Sequence, residues 1–119
     1  MKHILVVDDE RNILTLFEDE LTEAGYRVTL ADSGAVALEK IEEEVPDLVI
    51  LDIRMPIMHG VEVLEKIRQK HKELPVIMCT ALQGMRDDYT IVESKISGYL
   101  TKPIDLDELR AKVKEVIGE

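Results

Sequence analysis

Three short runs of the chain are apolar at every position: residues 4–7 (ILVV), 48–51 (LVIL) and 76–79 (VIMC). A strand with one face in water alternates apolar and polar residues. A strand with no polar member has to be covered on both faces, which is the condition of an interior strand in a parallel sheet. Between these runs the period changes. Apolar residues fall at Ile13, Leu14, Phe17 and Leu21 within 10–24, at Ala37, Leu38 and Ile41 between 33 and 44, and at Val61, Leu64 and Ile67 within 58–71. Each set is a one-sided helical stripe, fit to cover a sheet.

Punctuation residues mark the ends. Gly25 is placed to end the first helix, Ser33 to cap the second and Pro46 to stop it. Residues 27–31 (RVTLA) and 98–100 (GYL) read as two weaker strands. Asp105 with Glu108 makes an acidic version of the capping box before a helix that turns Leu106, Leu109, Val113 and Val116 inward. The segment 84–97 carries Met85, Tyr89, Val92 and Ile96 at helical spacing, but its polar content makes it a marginal helix. The order βαβαβαβαβα predicts an α/β fold: a doubly wound five-stranded parallel sheet with helices on both faces. Right-handed crossovers favour the flavodoxin-like strand order 2-1-3-4-5. With no repeat, low-complexity tract or linker, residues 1–119 are expected to form one domain.

Composition excludes several functions. Aromatics are only 3% of the chain, so the core must be built from Val, Ile, Leu, Met and Ala. A net charge of −10 argues against direct nucleic-acid binding and against an anionic membrane surface. No apolar run approaches the ~20 residues of a membrane-spanning helix. The apolar stretch near the N-terminus meets Asp8 too soon to be a signal-peptide core. The single cysteine, Cys79, cannot form an internal disulfide, and a reducing cytoplasm is the expected location.

In a parallel sheet all strand C-termini share one edge, and ligands bind there where the strand order reverses. The residues just past those ends are Asp8 and Asp9, then Asp52, Thr80 and Lys102. Singly, each has an ordinary explanation: a solvated turn or cap for an Asp, a backbone-bonded hydroxyl for Thr80, a surface charge for Lys102. Together they form a constellation, with Asp8, Asp9 and Asp52 converging and Thr80 and Lys102 on the flank. The chemistry that fits is metal-assisted phosphoryl transfer to a carboxylate. Asp9 and Asp52 offer hard oxygen ligands for Mg2+, with Mn2+ as a substitute. Asp52 is the candidate nucleophile, Lys102 a positive charge for a phosphoryl oxygen, and the Thr80 hydroxyl a donor to another. Ala81, being small, leaves the phosphoryl group room. No Gly-rich loop is present, so the donor is expected to be a phosphorylated partner or a small phosphodonor rather than a nucleoside triphosphate. Without metal the three acids should titrate as a coupled set, at least one pKa being raised by like-charge repulsion.

The motifs "VVDDE" at 6–10, "DLVILDIRMPIMHG" at 47–60, "VIMCTA" at 76–81 and "GYLTKPID" at 98–105 resemble the receiver domain of two-component response regulators, in a chemotaxis-type, single-domain-like form. The resemblance covers the whole chain. It implies that Asp52 is phosphorylated, that Asp9 binds Mg2+ directly and Asp8 mainly through water, and that the main-chain carbonyl of Arg54 is a further ligand. It also implies that Thr80 and Tyr99 are the switch pair, that Lys102 binds phosphate and that the Lys102–Pro103 bond is cis. The output surface it implies is the face formed by the 84–97 segment, the fifth strand and the last helix. The first helix and nearby loops would dock a sensor histidine kinase or histidine phosphotransfer protein. Downstream stands a protein target, or an output domain beyond this chain. Two features depart from the family pattern: His59 replaces a frequent acid and reads as a solvated loop residue, and Lys95 and Ile96 stand where a Gly-Ala pair is common. The resemblance also places Arg54 and Leu82 where side chains gate water attack and set the lifetime of the phosphoryl group.

The chain is thus expected to be a phosphoacceptor switch and not a turnover enzyme. One alternative is a binding module of the same fold that works without phosphorylation, which retention of all five site residues opposes. Another is a Mg2+-dependent phosphatase, which would need a second acid placed near Asp52 as general acid, and the positions next to Asp52 in "LDIRM" offer none.

Overall fold

The structure, a computed structural model, describes residues 1–55, 57–80 and 96–118, with backbone alone at Thr80. Among them are β1 (His3–Val7), α1 (Arg11–Glu23), β2 (Arg27–Ala31), α2 (Gly34–Glu43), β3 (Leu48–Asp52), α3 (Gly60–Lys70), β4 (Val76–Thr80), β5 (Gly98–Thr101) and α4 (Leu106–Ile117). Every strand pair is parallel and the order is β2-β1-β3-β4-β5, as expected from the sequence.

The apolar runs behave as their composition requires. β1 and β3 are buried at every residue. Their side chains alternate between two cores. Leu5, Val7, Val49 and Leu51 pack with Val63, Leu64 and Ile67 of α3 and with Ala37 and Ile41 of α2. Ile4, Val6, Leu48 and Ile50 pack on the other face with Leu14, Phe17 and Leu21 of α1 and with Leu109 and Val113 of α4. Each such side chain contributes about 1.5–3 kcal/mol of burial, which is how a core nearly free of aromatics holds the sheet. β2 and β5, at the edges, are only partly buried.

The helix ends follow their punctuation. Gly25 takes φ +100, a left-handed value suited to glycine. Its N–H donates to Thr22 O, and that of Tyr26 to Leu21 O. The Ser33 hydroxyl accepts from Val36 N at 3.2 Å. Asp105 Oδ1 accepts from the N–H groups of Asp107 and Glu108 at 2.8 and 3.2 Å. The third helix begins at Gly60, two residues later than its apolar stripe suggested, because His59 is its N-cap. Of the predicted helix over 84–97, Ile96 and Ser97 are not helical and the rest lies outside the described residues. Ile96 packs, partly buried, against the α2–α3 side of the sheet.

Candidate functional site

Parallel pairing brings the acids together. The register sets Val7 beside Leu51, so the chain leaving β1 places Asp8 and Asp9 next to the last residue of β3, Asp52. Carboxylate oxygens of all three lie within 4.8 Å of one another. Asp8 and Asp52 are 3% and 4% exposed, whereas Asp9 is exposed. Local hydrogen bonds fix Asp8: its N–H donates to Ala31 O at 3.1 Å, and its Oδ1 accepts from Glu10 N at 2.9 Å. Behind Asp52 the start of α3 is pressed against the strand. Gly60 N donates to Ile53 O at 2.8 Å, and a Cβ at residue 60 would collide with the Asp52 carbonyl oxygen.

Lys102 enters this cluster instead of standing at its flank. Its Nζ donates to Asp8 Oδ2 at 3.1 Å and lies 3.4 Å from Asp52 Oδ1 and 3.8 Å from Glu10 Oε1. The bond to Pro103 is cis, as the resemblance implies. Burial, and behind it the charge of Asp8, lift the Asp52 carboxyl from 3.8 to about 6; Lys102 and a hydrogen bond from the Arg54 main chain oppose this. The expected raised carboxyl is therefore present, with burial as a larger cause than repulsion. Burial alone would lower the Lys102 pKa, but Asp52 and Asp8 outweigh it and raise it. Even Cys79, paired with Asp52 across β3–β4, has its thiol pushed up to about 12 by burial and then by the Asp52 charge.

Of the other residues singled out, Thr80 ends β4 opposite Thr101, its side chain outside the described set. Ala81 and Leu82 are outside it too. Tyr99 lies on β5 with its side chain outward, 47% exposed. Arg54 is two residues past the strand end, where its main chain reaches the Asp52 carboxylate.

Two contributions escaped the sequence reading. His59 is not merely solvated, since its Nδ1 accepts from Val61 N at 3.2 Å and caps α3; the signal was the helical stripe beginning two residues later. Glu10 precedes α1 and lies within reach of Lys102, a tertiary contact that no local pattern announces.

The donor set suits a small hard cation. It consists of carboxylate oxygens, two of them buried and fixed by neighbours, which matches the ligand preference of Mg2+. A soft metal would call for His or Cys, and among the described residues this cluster contains neither.

A family model described as the response regulator receiver domain matches residues 4–114. The alkaline phosphatase synthesis transcriptional regulatory protein PhoP of Bacillus subtilis (strain 168) is 40% identical over 116 residues, 98% of this chain and 48% of that protein. The transcriptional regulatory protein ZraR of Klebsiella oxytoca is 40% identical over 115 residues, 97% of this chain and 26% of that protein. The chain thus spans about half or less of these curated relatives. Among solved structures, the response regulator protein TrrA of Thermotoga maritima, in complex with Mg2+-BeF, matches with a TM-score of 0.89 and 44% identity over 98% of this chain and 99% of that one.

Proposed function

The chain belongs to the response regulator receiver domain family, whose members are signalling switches rather than turnover enzymes, and from that premise we propose that it accepts a phosphoryl group on Asp52 from a phosphohistidine partner. The observation that carries this reading is Lys102 Nζ, 3.1 Å from Asp8 and 3.4 Å from Asp52, at the mouth of a three-carboxylate cluster. A phosphoryl group arriving there meets both a nucleophile and a cation.

An Asp52 carboxylate oxygen attacks phosphorus, the P–N bond to the donor imidazole breaks, and the aspartyl P–O bond forms. Ionised Asp52 is needed, and a pKa of about 6 leaves it mostly ionised at neutral pH. Lys102 turns from the carboxylates to a phosphoryl oxygen, and the Thr80 hydroxyl is proposed to take another. Held by Asp8, Asp9, Asp52 and the main-chain carbonyl of Arg54, Mg2+ would supply charge neutralisation for the transfer. Tyr99, exposed in this structure, is proposed to turn inward in response, changing the face formed by residues 84–97, β5 and α4.

The proposed donor is a sensor histidine kinase or a histidine phosphotransfer protein. The proposed reader is a downstream protein or an output domain, consistent with the greater length of the transcriptional relatives. Residues 1–119 are proposed to act as one receiver domain in the cytoplasm; among the described residues no helix is long and apolar enough to cross a membrane.

The test is incubation with Mg2+ and a small phosphodonor such as phosphoramidate, followed by intact mass. One acid-labile phosphoryl adduct, absent from Asp52→Ala, is expected. No adduct with any donor overturns the reading.

A further inference from the structure

Among the three acids around Lys102, Glu10 has a different standing. Asp8 and Asp52 are buried and belong to the set of oxygens within 4.8 Å that suits a cation. Glu10 lies outside that set, and its side chain is 64% exposed. Its backbone is fixed, with N–H donating to Asp8 Oδ1 at 2.9 Å and C=O accepting from Ile13 and Leu14 at the start of α1. An N-cap residue ordinarily uses its side chain to accept from the first helical N–H groups. Glu10, at φ −94 and ψ 115, makes no such bond. Its carboxylate lies instead 3.8 Å from the Lys102 ammonium.

We infer that Glu10 is a positioning residue: it holds Lys102 at the rim of the site and competes with the incoming phosphoryl group for that ammonium. The inference rests on the phosphoacceptor reading above. Once a cation occupies the buried carboxylates, their negative charge is shared with it and their hold on Lys102 weakens. Glu10 is then the carboxylate that keeps Lys102, and a phosphoryl oxygen gains the ammonium only by displacing or sharing it. Removing the Glu10 charge should free Lys102. An ion pair of this kind is worth little, so the gain should be about 1.4- to fivefold.

Glu10→Gln and Glu10→Asp distinguish this contact from a general effect of negative charge at the rim. Aspartate keeps the charge but is one methylene shorter, so it loses reach to Lys102. Two readouts apply to the whole chain: the rate of Asp52 phosphorylation by phosphoramidate, and the half-saturating concentration of beryllofluoride with Mg2+, followed by NMR without turnover. Both variants should phosphorylate about 1.4- to fivefold faster and bind beryllofluoride correspondingly more tightly than wild type. Thermal unfolding by circular dichroism confirms that each is folded. If wild type is phosphorylated and both variants match it, the inference is overturned while the phosphoacceptor reading stands. If only Glu10→Gln gains, the effect is bulk charge and the positioning role is overturned. If wild type takes no phosphoryl group at Asp52, both fall.

Discussion

The two ends of the same sheet carry charge in opposite ways. At the N-terminal edge, polar and charged groups are held in fixed pairs. His3 N donates to Asp47 Oδ2 at 2.7 Å, and Asp47 N returns a bond to His3 O at 2.7 Å. Arg27 binds Glu44 through both terminal guanidinium nitrogens. His3 Nε2 shares a 2.7 Å hydrogen bond with the Thr29 hydroxyl. At the C-terminal edge, Asp8, Asp9 and Asp52 converge and Lys102 stands against them with Glu10 outside. One edge is largely satisfied by the fold, His3 Nδ1 excepted. Among the described residues the other is left short of positive charge, and an exogenous cation can make up the shortfall. Charge imbalance, more than the presence of charge, marks the candidate functional edge.

The largest test of this contrast is the pH dependence of stability. Because the Asp52 pKa is about 6 when folded and near 3.8 when unfolded, the unfolded chain releases this proton first. The group therefore disfavours folding increasingly as pH rises from about 3.8 to about 6, by about 3 kcal/mol when fully ionised. Asp52→Asn lacks this loss. Urea unfolding across that window should show wild type falling relative to Asp52→Asn, with the difference levelling above pH 6. Saturating Mg2+ at neutral pH should recover stability in wild type, about 2.7 kcal/mol at a hundredfold excess over Kd. A difference flat with pH, or a Mg2+-independent melting temperature, would break the contrast between the edges.

A second, smaller cost at the C-terminal edge is in the backbone. Ile57, in the loop between β3 and α3, has φ 69 and a fully exposed side chain. A β-branched residue is poorly suited to this left-handed conformation, which costs an L-residue about 1–2 kcal/mol relative to glycine. Part of that returns through the greater freedom of glycine in the unfolded chain. Ile57→Gly should therefore stabilise the protein by about 1 kcal/mol in urea unfolding. Loss of stability instead would mean that Ile57 makes contacts outweighing its strain.

The fold was legible because the strands are interior. Runs such as LVIL leave no choice of face, so the strands, the helices α1 to α4 and the sheet direction followed from composition, period and the right-handed crossover rule. The site was legible for the same reason: once the sheet was parallel, Asp8, Asp9, Asp52 and Lys102 had to share an edge. What escaped is tertiary. The sequence places Lys102 past a strand end but not its ammonium among the carboxylates, because a lysine stem reaches in many directions. Glu10 escaped as well, since nothing local connects it with a lysine far along the chain. His59 looked like solvent-facing loop until α3 was seen to start one residue later.

The smallest expected effects belong to the N-terminal edge, where charges are already matched. His3 Nδ1 is buried without a hydrogen-bond partner and lies 3.8 Å from Glu44 Oε2. Burial, and then the guanidinium of Arg27, lower its pKa below 6.5, while Glu44 and Asp47 oppose. A histidine with a depressed folded pKa is protonated more readily in the unfolded chain. Its destabilising effect is absent well above 6.5 and grows as pH falls through 6.5 toward the folded value. His3→Gln should remove that part of the acid loss, seen as a difference in unfolding midpoint confined to this window. Arg27→Ala should leave the midpoint at neutral pH nearly unchanged, since an exposed pair of this kind contributes little. It should nevertheless raise the His3 pKa in an NMR titration of the ring, because it removes a nearby positive charge and leaves Glu44 to the imidazole alone. An unchanged His3 pKa in Arg27→Ala would mean that burial alone sets it, and that the matched charges of this edge do not sense one another.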